Sequence, residues 1–241
     1  MSQSLTWSCL CQTTIVLWLG GPKTLYIGPV KEQKSRLYGK LIFASLVLGM
    51  LFIYFVQHFK AFLYKKSNTS FLWMALVALA WANFLIWNTG EYRVALLVFP
   101  DFDPKLAVVL GIISFYFIPF TMGAFCLSLF KFKPHLYYWR FNALIAFVLI
   151  IAAVSLPLEV NHRLNSFYRL FSLIGTLFLI ANVSVNVRRK TPGAIIYLVS
   201  YVLFTALTLN ASFKFIPNDL PHNSIIGVAI IVIAQALLLA R

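Results

Sequence analysis

The chain has 241 residues, of which 61% are hydrophobic and 11% are charged, and its formal net charge is +14. Soluble domains are roughly half apolar and about a quarter charged. So few charges cannot cover so much apolar surface in water, and the composition therefore excludes a soluble globular fold. The basic excess does not indicate nucleic-acid binding, because the lysines and arginines are spread between apolar runs instead of being gathered on one face.

The first 36 residues are predicted to be an extracytoplasmic stub or a poorly ordered lead-in. Leu5–Leu19 is moderately apolar, but no basic residue precedes it and the polar stretch from Cys11 to Thr14 interrupts it. A poor signal sequence, an interfacial segment and the tail of a lost domain all stay open, with an eighth span as a less favoured alternative. Lys23–Arg36 is polar and is predicted to be extended.

Residues 37–241 contain seven apolar runs and are predicted to be the transmembrane domain. A helix needs about 20 apolar residues to cross roughly 30 Å of hydrocarbon, and only helices satisfy their own backbone groups within one such run. The fold class is therefore an all-α integral membrane bundle of seven helices, and Pro119 is expected to kink the third. The predicted spans are Leu37–Gln57, Ser70–Asn88, Leu106–Leu129, Phe141–Leu156, Phe167–Val187, Gly193–Phe213 and Ile225–Ala240.

The loops between these spans predict the orientation. The loops after spans one, three and five hold nine basic residues and no acidic residue. Basic loops stay cytoplasmic, so the N-terminus is predicted outside and the C-terminus inside. The nine are Lys60, Lys65, Lys66, Lys131, Lys133, Arg140, Arg188, Arg189 and Lys190.

Polar and aromatic residues within or beside the spans are assigned to packing and anchoring. The buried amides favour hydrogen bonds between helices over a polar track for a ligand or ion, because no span has a charged residue near its centre. Tyr137, Tyr138 and Trp139 are expected at the headgroup level. The amides are Asn83, Asn182, Asn186, Asn210 and Gln235.

The opposite loops hold the candidate ligand-binding residues. They form either a polar cup for a ligand or, the favoured interpretation, a solvated rim. The four histidines of the chain do not have metal-ligand spacing, so no metal and no cofactor are expected. The rim residues are Glu91, Arg93, Asp101, Asp103, Glu159, His162, Arg163, Asp219 and His222.

Three stretches together resemble a known family. They are Thr24–Pro29 leading to Arg36, the hairpin from Tyr54 to Tyr92, and the loop Ile216–Asn223 before the last helix. In this order they resemble the bacterial seven-transmembrane receptors with diverse intracellular signalling modules. The resemblance implies an extracytoplasmic carbohydrate-binding-like domain before the helices and a cytoplasmic kinase, cyclase or phosphatase after them.

These observations predict a sensory module in a bacterial inner membrane. It is expected to relay an extracytoplasmic signal to a separate cytoplasmic partner, a kinase or a nucleotide cyclase, and to lack its own output domain. Its other expected partners are the lipid bilayer and a second copy in a homodimer, with no nucleic acid. A small transporter or channel is the alternative. No G-x-S-x-G motif, paired intramembrane aspartate or phosphate loop occurs, so no enzyme is expected.

The orientation can be tested with reporter fusions. Fusions after Lys66, Arg140 and Lys190 should report a cytoplasmic position, and a fusion after Asp103 should report an external one, because cations are retained on the cytoplasmic side. Reversed signals at any two of the four positions would contradict the seven-span arrangement.

Overall fold

The computed structural model describes residues 18–20, 24–26, 30–88, 101–130, 133–213 and 223–239. The chain forms two compact units, residues 1–43 and 44–241. In the first, strands β1 (Trp18–Gly20) and β2 (Thr24–Tyr26) pair antiparallel with Leu19 opposite Leu25. Most of Leu5–Leu19 lies outside the described residues. Helix α1 begins at Val30, so residues 30–36 of the predicted extended lead-in are helical.

The helical prediction is confirmed, with seven helices in the described ranges. They are α1 (Val30–Tyr64), α2 (Thr69–Asn88), α3 (Pro104–Leu129), α4 (Lys133–Ser155), α5 (Leu158–Arg188), α6 (Ala194–Phe213) and α7 (Asn223–Leu239). The first five are long and apolar enough to cross a membrane, and the apolar parts of α6 and α7, Ala194–Leu209 and Ile226–Gln235, are shorter.

Three helices, α1, α4 and α5, extend well beyond their predicted spans, and α1 does so at both ends. Helix α5 begins at Leu158 instead of Phe167, so Glu159, His162 and Arg163 are helical and do not lie in a loop. Hydropathy identifies only the apolar part of a helix, which contacts lipid, and it therefore misses the polar N-terminal turns of α5. Pro157 precedes α5 directly, where its fixed φ suits a helix start. Helix α4 likewise begins at Lys133, which places Arg140 inside a helix.

In the unit of residues 44–241, helices that follow each other in the chain also pack together from α2 to α7. Helix α3 also packs on α5, and α2 contacts α7. One buried cluster includes Leu51, Met74, Phe125, Tyr197 and Ile231. A second, smaller cluster lies between α3, α4 and α5 and is formed by Ile112, Tyr116, Ala146, Leu149, Ala153 and Tyr168.

Large apolar side chains also cover the outside of the bundle. Phe147, Leu170 and Ile195 are each 62% exposed. Contiguous apolar surface of this kind is unfavourable in water and marks contact with another apolar phase. The outward faces of α4, α5 and α6 are therefore the lipid-facing surface.

Helix α3 continues unbroken through Pro119. Proline removes one backbone hydrogen bond from a helix, which at Pro119 is the bond to the Phe115 carbonyl, so α3 depends more on its neighbours there. Here Trp139 of α4 donates from Nε1 to the Phe120 carbonyl at 3.0 Å, and the Tyr168 hydroxyl of α5 lies 3.1 Å from the Tyr116 carbonyl. Two neighbouring helices thus contact the α3 backbone on either side of the proline.

Of the three expected interfacial aromatics, only Tyr137 is strongly exposed, at 69%. Trp139 stacks on Phe120 with a centroid distance of 5.3 Å. The Tyr138 ring stacks on Phe171 and Phe178, and its hydroxyl donates to the Phe171 carbonyl at 3.0 Å. Tyr138 and Trp139 are half-buried and join α4 to α5 and α3, while their anchoring at the headgroup level stays a prediction.

A glycine in α5 makes room for the Tyr138 ring. A Cβ added at Gly175 would lie 2.5 Å from the Tyr138 Oη and 2.7 Å from its Cε1. Gly175→Ala should therefore lower the free energy of unfolding in detergent by about 1–3 kcal/mol, because Tyr138 must leave its hydrogen bond and both ring contacts. Chemical or thermal unfolding of the purified protein measures this.

The matched control is Gly49→Ala in α1, where an added Cβ meets nothing within 4 Å. It should leave stability unchanged or raise it by up to about 1 kcal/mol, since alanine favours a helix. Equal effects of the two substitutions would show that the Tyr138 contact does not stabilise the bundle.

Candidate functional site

The predicted rim residues are not brought together by any described contact. Asp103 has a structural role, because its Oδ1 accepts from the Lys105 backbone N–H at 2.8 Å and caps α3. Asp101, Glu159 and Arg163 are exposed. Outside the described residues lie Glu91, Arg93, Asp219, His222 and the side chain of His162.

Asn83 joins α2 to α3. Its amide nitrogen donates to the Ser114 hydroxyl of α3, and its Oδ1 accepts from the Trp87 indole at 2.8 Å. The hydroxyl of Ser114 in turn donates to the Leu110 carbonyl at 2.7 Å. The side chain of Asn210, in α6, lies outside the described residues.

One face of α5 makes a series of contacts along the helix. Asn161, Tyr168, Gly175 and Asn182 follow each other at intervals of seven residues, which is two helical turns and keeps them on one face. The three side chains are each at most 1% exposed. We call these four positions the α5 inner face. Its glycine receives Tyr138, and its three polar residues bond to α3 or α4.

At the N-terminal end of this face, Asn161 secures the end of α4. Its amide nitrogen lies 3.1 Å from the carbonyls of Ala153 and Leu156. Carbonyls in the last turn of a helix have no partner within the helix, so this amide satisfies them. The short α4–α5 connection is thereby closed by a side chain.

In the middle of the bundle, Tyr168 meets two helices. Its hydroxyl lies 3.1 Å from the Tyr116 carbonyl of α3 and 3.1 Å from Asn142 Oδ1 of α4. A hydroxyl has one proton, so it donates to one acceptor at a time. The Tyr116 hydroxyl close by is buried and has no hydrogen-bond partner among the described residues.

At the other end, Asn182 and Asn186 connect three parts of the chain. The Asn182 amide nitrogen lies 3.4 Å from Cys126 Sγ and from the Phe130 carbonyl of α3. The Asn186 amide nitrogen donates within α5, to the carbonyl and Oδ1 of Asn182, at 2.9 and 3.0 Å. Thr191, in the turn after α5, reaches Asn186 Oδ1 from its hydroxyl at 3.4 Å. Asn182 thus makes the described bond between helices, and Asn186 links it to the turn.

Gln235 of α7 differs from these amides. It is 0% exposed, and neither its nitrogen nor its oxygen has a hydrogen-bond partner in the described part of the chain. The Tyr197 hydroxyl of α6, also buried, lies beside this amide and interacts with it, but no well-formed hydrogen bond joins the two. Two buried polar groups thus lie side by side near the end of α7.

Sequence reasoning missed several members of these clusters. Asn142 lies within a predicted span. Tyr116 and Tyr168 lie in apolar stretches, where a tyrosine is normally interpreted as a core residue. The interval of seven residues from Asn161 to Asn182 is a signal that would have pointed to one face of α5.

Comparison with known proteins identifies the chain. The model of the family described as 7TM diverse intracellular signalling matches residues 40–241. The chain belongs to this family. Comparison with curated proteins and with solved structures gives no match.

Membership in the 7TM diverse intracellular signalling family makes the chain a multi-pass membrane protein with a sensory role. The matched region begins within α1 and includes all four positions of the α5 inner face and Gln235. The buried polar contacts therefore lie within the membrane region that the family shares.

Replacement by leucine should change stability in opposite directions for the amide without a well-formed hydrogen bond, Gln235, and for the hydrogen-bonded amide, Asn182. Gln235→Leu should raise the free energy of unfolding by about 1 kcal/mol, because it removes two buried polar atoms that have no partner. Asn182→Leu should lower it by about 1 kcal/mol, because its amide is bonded between helices. Thermal unfolding in one detergent measures both.

Ile233→Leu, at a 44% exposed position of α7, is the matched control and should be neutral. A loss of stability in Gln235→Leu as large as that in Asn182→Leu would show that Gln235 is paired in the folded protein.

Proposed function

We propose that this chain is the membrane core of a receptor in the bacterial inner membrane. It relays an extracytoplasmic signal to a cytoplasmic output protein, a kinase or a nucleotide cyclase, and itself catalyses no reaction. The observation that carries the proposal is the family match over residues 40–241. Association of two copies would bring two output units together.

The distribution of charge supports the orientation in this proposal. Lys65, Lys66 and the cations from Arg188 to Lys190 stand at the ends of α1 and α5, which are the same end of a bundle whose helices alternate in direction. Asp103 and Glu159 stand at the N-terminal ends of α3 and α5, which is the other end. Cations on the cytoplasmic side place the C-terminal end of α7 there as well.

The packing of α7 suggests how a signal passes along it. Near its start, a Cβ added at Gly227 would lie 3.2 Å from the Phe204 ring and 3.5 Å from the Phe204 Cα, so α6 and α7 are in close contact there. Near its end, Gln235 is buried beside Tyr197 without a hydrogen bond. The helix is closely packed at one end and has unpaired polar groups at the other.

A second arrangement of α7 follows from this asymmetry. An unpaired buried amide costs about 1–3 kcal/mol, and a rotation that pairs Gln235 with the Tyr197 hydroxyl would recover part of that cost. Two states that differ by a few kcal/mol are both accessible, and a signal that favours one of them shifts their populations. In this mechanism the cytoplasmic end of α7 rotates while the contact at Gly227 is kept.

Rotation of α7 can be read out with an attached enzyme. When a dimerising adenylate cyclase is fused after Arg241 in helical register, its activity should vary periodically as one to four residues are inserted at the junction. Each inserted residue rotates the attached unit by about 100° around the helix axis. Cyclic AMP production in a cyclase-deficient host is the measurement.

The control is the same insertion series placed after a flexible glycine-serine linker, which should give constant activity. Constant activity in the direct fusions would show that α7 is only an anchor. A transporter would be favoured instead if the protein moves a solute across liposomes and Asn182→Leu abolishes that flux without lowering stability.

A further inference from the structure

The turn between α5 and α6 presents three consecutive cations. Arg188, Arg189 and Lys190 are all exposed. In the described part of residues 44–241, the carboxylates Asp101, Asp103 and Glu159 belong to the opposite end of the bundle. No described acidic side chain is therefore placed to neutralise this turn.

The backbone of the turn is defined by hydrogen bonds. The Lys190 N–H donates to the Val187 carbonyl and the Thr191 N–H donates to the Asn186 carbonyl, both at 2.9 Å. This pair of bonds is the Schellman arrangement that ends many helices. Its residue in the left-handed conformation is usually glycine, because a side chain is strained there.

Here that residue is Lys190, with φ of 56°. Three residues later the chain again has a positive φ, 79°, and there it uses Gly193. Arg188 and Arg189 already supply positive charge to keep this turn on the cytoplasmic side. Orientation in the membrane therefore does not require a lysine at the strained position. The strain at Lys190 indicates that its side chain is used.

The turn is also tied to the interior. The Thr191 hydroxyl reaches Asn186, which donates to Asn182, and Asn182 contacts Cys126 and Phe130 of α3. A turn fixed in this way holds the backbone that carries the three cations in place before any ligand arrives, which lowers the entropic cost of binding.

We propose that the α5–α6 turn is a binding site for the headgroup of an anionic phospholipid, with Lys190 as the residue that sets its affinity. The turn follows a membrane-spanning helix, so its cations lie where lipid phosphates are found. The cations complement the negative headgroup. This turn differs from the α1–α2 turn with Lys65 and Lys66 in its third cation, its left-handed lysine and the link from Thr191 to the buried Asn186. This inference rests on the membrane placement of α5 and does not depend on the relay proposed for α7.

The test measures phosphatidylglycerol binding to the purified protein by native mass spectrometry, with phosphatidylcholine as the neutral lipid. Lys190→Gly should weaken phosphatidylglycerol binding roughly fivefold, as expected for one lysine near an anionic surface. In phosphatidylcholine its unfolding temperature should be equal to or above that of the parent, because glycine relieves the left-handed strain. Lys190→Arg should retain binding.

Lys66→Gly, which removes one exposed cation from the other turn, is the matched control and should cause a clearly smaller loss. Equal losses in Lys66→Gly and Lys190→Gly would overturn the proposal in favour of diffuse attraction by all basic turns. Unchanged binding in Lys190→Gly would also overturn it. If inorganic phosphate, at the same concentration as the lipid, displaces phosphatidylglycerol fully, the turn binds free anions and a lipid site is rejected.

Discussion

Hydrogen bonds between buried polar groups join the helices of this bundle, and the α5 inner face provides three of the side chains that make them. Asn161 bonds to the end of α4, Tyr168 to α3 and α4, and Asn182 to α3, while Gly175 admits Tyr138. Lipid offers no competing hydrogen bonds, so these contacts specify the register of α5 against its neighbours. A slip by one residue would remove all four positions from their partners.

The middle contact of this face lies beside the least regular part of α3. Pro119 cannot donate a backbone hydrogen bond, and Trp139 and Tyr168 both reach carbonyls next to it. The Tyr168 hydroxyl has two acceptors at equal distance and one proton. It can therefore exchange between α3 and α4 when these helices shift slightly, which permits small movement without leaving an unpaired donor.

Helix α7 is constrained differently. Its close contact with α6 at Gly227 uses shape alone, and its buried amide has no bond. Buried polar atoms without a partner also occur in α2, α3 and α5, at Trp81, Tyr116 and Asn161. In α6 and α7, however, two such groups, Tyr197 and Gln235, lie side by side, and the proposed mechanism depends on that pair. In the relay that we propose, α3, α4 and α5 are the scaffold and α7 is the helix that moves.

The sequence by itself determined the membrane environment and the number and approximate position of the helices, because hydropathy is a local property of each run. It placed the start of α5 nine residues too late, since Glu159 and Arg163 are polar yet helical. It could not distinguish Asn182 from Gln235, which are both amides in apolar helices. Only the tertiary structure decided that Asn182 meets α3, that Gln235 stays unpaired, and that Lys190 adopts a left-handed conformation. The first two depend on which polar atoms the fold brings within about 3.5 Å of one another, and the third depends on how the chain turns at the end of α5.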